Sequence, residues 1–380
     1  MPTLTVAWHD YNIGEDGFNI YRSESPMDIN AMPAPIASVG SNIGSYDDTT
    51  VTRNNVYYYR VGVKRNGSEV IGNEYKFLTA NVTVITGSSA NEVKKIDSSG
   101  NEIWTFENND NGNPDGHNSN VNGVTLDSSG NIYSASKDKT VKKIDPDGSI
   151  VWTFTGHTGR VSNVAVDSSG NVYGAGGYND ETLRKIDPDG NEVTSGGWPF
   201  TGHTDLLYDV AVDSTGYVYS ASKDKTVKKI DPDGNEVTSG GWPFTGHTGY
   251  VQGVAVDSND NVYSGSRDGT VRKINSSGNQ QWIYTGHLGR VEDVAVDKNG
   301  NVYSAGGYND RTLRKIDPDG NEVWVFDKGE YLKSVDVDPI GNAYIGTYNR
   351  TLTKIDFSGK KVWELTTQRD INSVAVYIDY

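Results

Sequence analysis

The chain has 380 residues, a formal net charge of -16 and no cysteine. Disulfides, thiolate zinc sites and cysteine nucleophiles are therefore excluded. The acidic balance argues against nucleic acid and anionic membranes as partners, and no apolar run of about 18 residues is present, so no membrane insertion is expected.

The opening stretch "MPTLTVAWHDYNIGEDG" lacks a basic segment followed by an apolar one, so no secretory leader is expected. Residues 2–79 then read as short strands, "LTVAWHDY", "GFNIYRS", "GSYDDTTV", "NVYYYRVGVKRNG" and "NEYKFLTA". Trp8 falls on an early strand and Tyr21 on the "NIYR" strand. Tyr57 is followed at alternate positions by Tyr59 and Val61. This segment resembles a fibronectin type III domain, an antiparallel β-sandwich in which Trp8 is the core tryptophan and Tyr57 the corner tyrosine. A first domain is expected over 1–80 and a second over 81–380.

From residue 81 onward the chain repeats itself. The valine opening each apolar triplet falls at Val124, Val164, Val210, Val254, Val294, Val335 and Val374, in steps of 40, 46, 44, 40, 41 and 39 residues. That period suits a four-stranded propeller blade. Each unit reads as an inner strand ("VSNVAVD"), a "DSSGN" turn, a second strand ("NVYSASKD"), a third ("TVKKID"), a "DPDGN" turn and an outer strand ("EVWVF"). Asp, Pro and Gly at these spacings are hairpin-turn chemistry. Residues 81–107 supply a second, third and outer strand without an inner one, and 371–380 supply an inner strand and stop. Joined, they make a split blade that closes the ring. Seven of the eight tryptophans, Trp104, Trp152, Trp198, Trp242, Trp282, Trp324 and Trp363, fall one per unit. The expected fold is all-β: a fibronectin type III-like sandwich followed by a seven-bladed β-propeller closed by a split blade.

The stretch "GHTGYVQGVAVDSNDNVYSGSRDGTVRKIN" (246–275) resembles the WD-repeat family, with His247, Ser264 and Asp268 at its Gly-His, second-strand Ser and turn Asp positions and Ile274 where the family has Trp. The "NVY" and "IDPDGNEVW" elements are also similar to quinoprotein-type propeller repeats. The resemblance implies that each Gly-His histidine bonds the turn aspartate and fastens its blade: His117 with Asp138, His157 with Asp180, His203 with Asp224, His247 with Asp268 and His287 with Asp310. Lys328 and Thr367 replace the histidine in the last two units.

Other roles for these residues are weaker. Equivalent positions on packed sheets lie about 10 Å apart, so the histidines do not converge on one zinc ion, whose ligands sit at about 2 Å. The "DPDGN" turns lack the remaining spacing of a calcium loop. Neither a metal nor a cofactor is expected. One tryptophan per blade reads as packing before sugar stacking. No nucleophile elbow, phosphate loop or His-Glu-x-x-His is present, so a binding or structural protein is expected and not an enzyme.

The residue just before each inner strand's first apolar position reads Asn120, Arg160, Leu206, Tyr250, Arg290, Tyr331 and Asp370. It varies where its neighbours repeat. By the WD-repeat resemblance it lies near the axis on the loop-bearing face, which makes these seven a candidate binding face; solvated residues free to drift are the plain alternative. The pairing of the two modules, without a visible export signal, resembles phage or archaeal-virus virion proteins. That implies a tail, baseplate or capsid-surface component located in the virion, with other virion proteins and a host receptor or glycan as partners. An extracellular or cytoplasmic interaction scaffold is the second expectation, and a carbohydrate-active enzyme the third.

Overall fold

The computed structural model describes residues 4–8, 15–41, 43, 45–52, 55–78, 81–107 and 115–379. Within them every regular element is a strand and none is a helix. The chain divides into two compact units, residues 1–81 with 378–380, and residues 82–377.

In the first unit, Leu4–Ala7 pairs with Ser45–Asp48. A second sheet runs Ala37–Val39, Gly17–Ser23, Val56–Arg65, Ser68–Ile71, with Tyr75–Leu78 also on Val56–Arg65. Alternation sends Tyr57 and Tyr59 inward against Val6, Ile20 and Val51. The Tyr57 hydroxyl accepts from the Thr52 amide at 3.0 Å. Tyr59 donates to the buried Asp48 at 2.8 Å, which also pairs with Arg22 at 2.9 Å.

The second unit repeats one antiparallel sheet. Val251–Val256, Val262–Ser266, Val271–Ile274 and Gln280–Tyr284 run in that order, and sheets opening at Val121–Leu126, Val161–Val166, Val291–Val296 and Leu332–Val337 follow the same order. The sheet opening at Leu207–Val212 has three strands, with Phe244 bridged to Val227 beside its third. One more sheet joins distant parts of the chain, in the order Glu102–Phe106, Val93–Ile96, Asn81–Ser88, Ile371–Asp379. Repetition of such sheets at this period makes the unit a β-propeller.

Burial follows from stacking these sheets face to face. Second strands such as Val262–Ser266 are buried at all five positions, because both of their faces meet a neighbouring sheet. Tyr263, Val271 and Tyr284 of one sheet pack on Val291 and Val294 of the next. Outer strands alternate exposed and half-buried residues. Turns are closed by their own aspartates: Asp127 accepts from the Ser129 and Asn131 amides at 2.9 and 3.0 Å and from the Tyr133 hydroxyl at 2.9 Å. Gly130 sits there at φ +80°, where a side chain would be strained.

Tryptophan indoles tie each sheet to the next. Trp104 donates to Pro146 O, Trp152 to Pro188 O, Trp282 to Pro318 O and Trp324 to Phe357 O, all at 3.0–3.1 Å. Trp198 and Trp242 donate to Pro232 O and Ser276 O at 3.1 Å.

Candidate functional site: the channel and its rim

A β-bulge recurs near the start of the inner strands. The register shifts between Val121 and Gly123, Val161 and Asn163, Leu207 and Asp209, Val251 and Gly253, Val291 and Asp293, and Leu332 and Ser334. A bulge leaves one residue unpaired and re-aims it. Those residues, Asn122, Ser162, Tyr208, Gln252, Glu292 and Lys333, all line a central cavity of about 560 Å3, joined by Asn372.

The residue after the bulge laces neighbouring strands together. Asp209 accepts from the Val254 amide at 2.7 Å, and Asp293 from the Val335 amide at 2.9 Å. Ser334 and Ser373 accept from Val374 and Val124 in the same way, both at 3.1 Å. Asn163 donates to Asp209. Burial pushes the Asp209 carboxyl up to about 6, against the hydrogen bonds from Val254, Val210 and Asn163. Burial first, and then the charge of Asp209, pushes Asp293 well above the usual carboxylate range. Asp336, half-buried in the channel wall and bonded to the Val376 amide at 2.7 Å, is likewise pushed up to about 6 by desolvation.

The seven candidate rim residues occupy equivalent places. Each carbonyl accepts from the turn after the second strand: Asn120 from Lys137, Arg160 from Gly177, Leu206 from Lys223, Tyr250 from Arg267, Arg290 from Gly307, Tyr331 from Tyr348 and Asp370 from Ser89, at 2.8–3.0 Å. All seven are half-buried. Only Tyr331 among them lines the central cavity; the axial row lies two residues further along the chain, where the bulge turns it inward.

One sector of the rim is aromatic and cationic. Tyr208 stacks on Tyr250 with centroids 6.4 Å apart, and the Arg267 guanidinium lies 4.9 Å from the Tyr250 ring. Arg290 lies 5.0 Å from Tyr331 and 5.6 Å from Tyr308. Tyr331 stacks on Tyr348 at 5.9 Å, and Lys333 lies 5.0 Å from Tyr348. These are cation–π distances. Asp370 reaches Lys333 at 3.7 Å. Among the described residues, neither a ring contact nor an ion pair joins Asn120 or Leu206 to this cluster. Arg267, Tyr308 and Tyr348 are contributed by the turns after the second strands. Their signal in the sequence is variation at a turn whose flanks repeat.

The histidines sit between the sheets' loops and core. His247 Nδ1 is 3.0 Å from Asp268 and its Nε2 2.8 Å from Ser264 Oγ. His117 holds Asp138 and Ser134 at 3.0 and 2.8 Å, His203 holds Asp224 and Ser220 at 2.7 Å each, and His287 holds Asp310 and Ser304 at 3.0 and 2.7 Å. His157 meets Asp180 at 2.7 Å, but Gly174 stands in place of the serine, and His157 Nε2 is buried without a partner. The Ser–His–Asp connectivity is that of a hydrolytic triad. Here Ser264 and its counterparts Ser134, Ser220 and Ser304 are fully buried, so no substrate reaches the hydroxyl. Burial keeps His247 below its usual value, outweighing the bond to Asp268. Burial opposes ionisation of Asp268, but bonds from His247, Thr270 and Thr248 outweigh it and hold the carboxyl well below its usual range. Lys328 fills the missing histidine's place with ion pairs to Glu330 at 3.1 Å and Glu364 at 3.2 Å. Among the described residues no group of three or more His, Asp or Glu is placed to hold a metal ion.

The class these features define is a WD-like or quinoprotein-like β-propeller with a polar channel and a variable rim. Residues 223–376 match the family model described as Outer membrane protein assembly factor BamB. Residues 108–145, 148–187 and 197–231 match the model described as WD domain, G-beta repeat. The chain is thus similar to both repeat types along successive stretches of one strand pattern. Comparison with curated proteins returned no match.

Proposed function

We propose that this chain is a non-enzymatic recognition protein: a seven-bladed propeller closed by a split blade and preceded by a fibronectin type III-like sandwich, serving as a structural component of a virus particle that contacts the host. The observation that carries the recognition role is the gathering of Tyr250, Arg290 and Tyr331 with Arg267, Tyr208, Tyr308 and Tyr348 into one asymmetric sector of the rim. Aromatic and Arg side chains are the usual anchors of interfaces. WD repeats generally mediate protein–protein interaction, which agrees with a binding role for this surface. The seven-bladed closure is supported by the pairing of Asn81–Ser88 with Ile371–Asp379 and by the tryptophan bonds. The sandwich reading is supported by the bond of Tyr57 to Thr52, five residues upstream, as a corner tyrosine makes. A non-enzymatic role is supported by the burial of every Ser–His–Asp set.

Mass spectrometry of purified virus particles tests the setting. Recovery of this chain at a fixed ratio to the major capsid protein is expected; its presence only in the cellular fraction overturns the virion role and favours an interaction scaffold.

A further inference from the structure

Arg267 differs from Lys223, Arg290 and Lys333 around it. Lys223 is paired with Asp205 at 3.1 Å, Arg290 with Glu292, and Lys333 with Asp370 at 3.7 Å. Among the described residues the Arg267 guanidinium has no carboxylate and no hydrogen-bond acceptor; it rests on the faces of Tyr250 and Tyr208 at 4.9 and 5.8 Å. It opens onto a shallow surface pocket lined by Arg267, Gly289, Arg290, Tyr308 and Asn309. Tyr308 is 63% exposed, and Leu288 83%.

We infer that this pocket takes a sugar unit bearing one acid group, the carboxylate or sulfate meeting Arg267 and the apolar ring face lying on Tyr308. The inference rests on the recognition role proposed above and names its ligand class. A planar guanidinium with unspent donors matches an oxyanion in a two-pronged fashion. An exposed aromatic face beside it gives the C–H side of a sugar a surface that an inorganic anion does not use. An extended peptide would need free backbone groups to add to, and here the rim's are spent on each other, as Arg267 N on Tyr250 O at 2.8 Å and Gly307 N on Arg290 O at 2.9 Å.

Calorimetric titration of the full chain with oligogalacturonate, a sulfated dextran oligomer, an unsulfated dextran oligomer and a glutamate-rich peptide tests this. Binding of the galacturonate, the sulfated oligomer or both is expected, the two arms telling carboxylate from sulfate, with no heat from unsulfated dextran. Arg267→Ala and Tyr308→Ala should each weaken it about tenfold, while Lys298→Ala, an equal loss of charge in a turn between a first and a second strand, should not. Equal binding of the unsulfated oligomer, equal or tighter binding of the peptide, equal loss in Lys298→Ala, or no binding of either acidic sugar overturns the inference. If no acidic sugar binds but Tyr250→Ala with Arg290→Ala still abolishes attachment to cells, the ligand class is wrong and the recognition face stands. If attachment is also normal, both fall.

Discussion

Trp363 donates its indole N–H to the carbonyl of Ser98 at 2.9 Å, across 265 positions of chain. It is the same bond that Trp104 makes to Pro146 one sheet further on, so the last sheet is fastened to the first as every other pair is. Deleting residues 371–380 removes the strand beside Asn81–Ser88 and leaves the inner edge of that sheet open. A large fall in melting temperature or aggregation is expected in thermal unfolding. An unchanged melting temperature contradicts closure. Trp363→Phe keeps the ring contact with Tyr344, at 6.1 Å, and should cost only about 1 kcal/mol for the lost bond.

His247→Ala removes the bonds to Asp268 and Ser264 and leaves both buried groups short of a partner. A loss of about 1–3 kcal/mol is expected in denaturant unfolding. Elemental analysis of the wild-type protein should show no stoichiometric zinc.

Gly174→Ser supplies the hydroxyl that His157 Nε2 lacks. The new Cβ would lie 2.5 Å from Nε2, closer than side chains approach, so the imidazole must shift back until it stands to the new hydroxyl as His247 stands to Ser264. A gain of about 0.5–1.5 kcal/mol is expected from a differential melting measurement. A loss would show that the ring is held in place by Phe154, whose ring is 5.8 Å away.

The pH dependence of stability has two limbs. His247 and Asp268 have folded pKa values held low, so the unfolded chain binds more protons; their contribution is present above about 6.5 and 3.9 respectively and is lost as pH falls. Asp209 has its folded value raised to about 6. Its contribution is present below about 3.9 and is lost as pH rises through about 6. Asp209→Ser retains an acceptor for the Val254 amide, as Ser334 does for Val374, and removes the buried charge. Urea unfolding at several pH values should show the loss between about pH 4 and 7 reduced in the variant.

Much of the propeller is legible in the sequence because its signals are short-range. Asp127 to Gly130 closes a turn with its own side chain, and each Gly-His histidine is followed by its turn Asp at 21 or 23 residues. The channel row is not legible in this way. "VQGVAV" reads as plain alternation, and only the bulge after Val251 turns Gln252 toward the axis. The aromatic sector is hidden for a different reason: Arg267 meets Tyr250 17 residues away across paired strands of one sheet, and Arg290 meets Tyr331 from the next sheet, so the cluster exists only once strands are paired and sheets stacked. Missing, too, from a family pattern is the consequence of Gly174, because a pattern tolerates the substitution while the buried His157 nitrogen does not.

The most direct measurement is attachment by protein carrying Tyr250→Ala with Arg290→Ala, in a cell-binding assay alongside a melting curve. Both residues are half-buried at the rim, so folding should change little. Loss of attachment at a nearly unchanged melting temperature is the predicted result. Normal attachment and normal particle assembly would contradict the account, and would leave the first unit, built around Tyr57 and Tyr59, as the surface to examine.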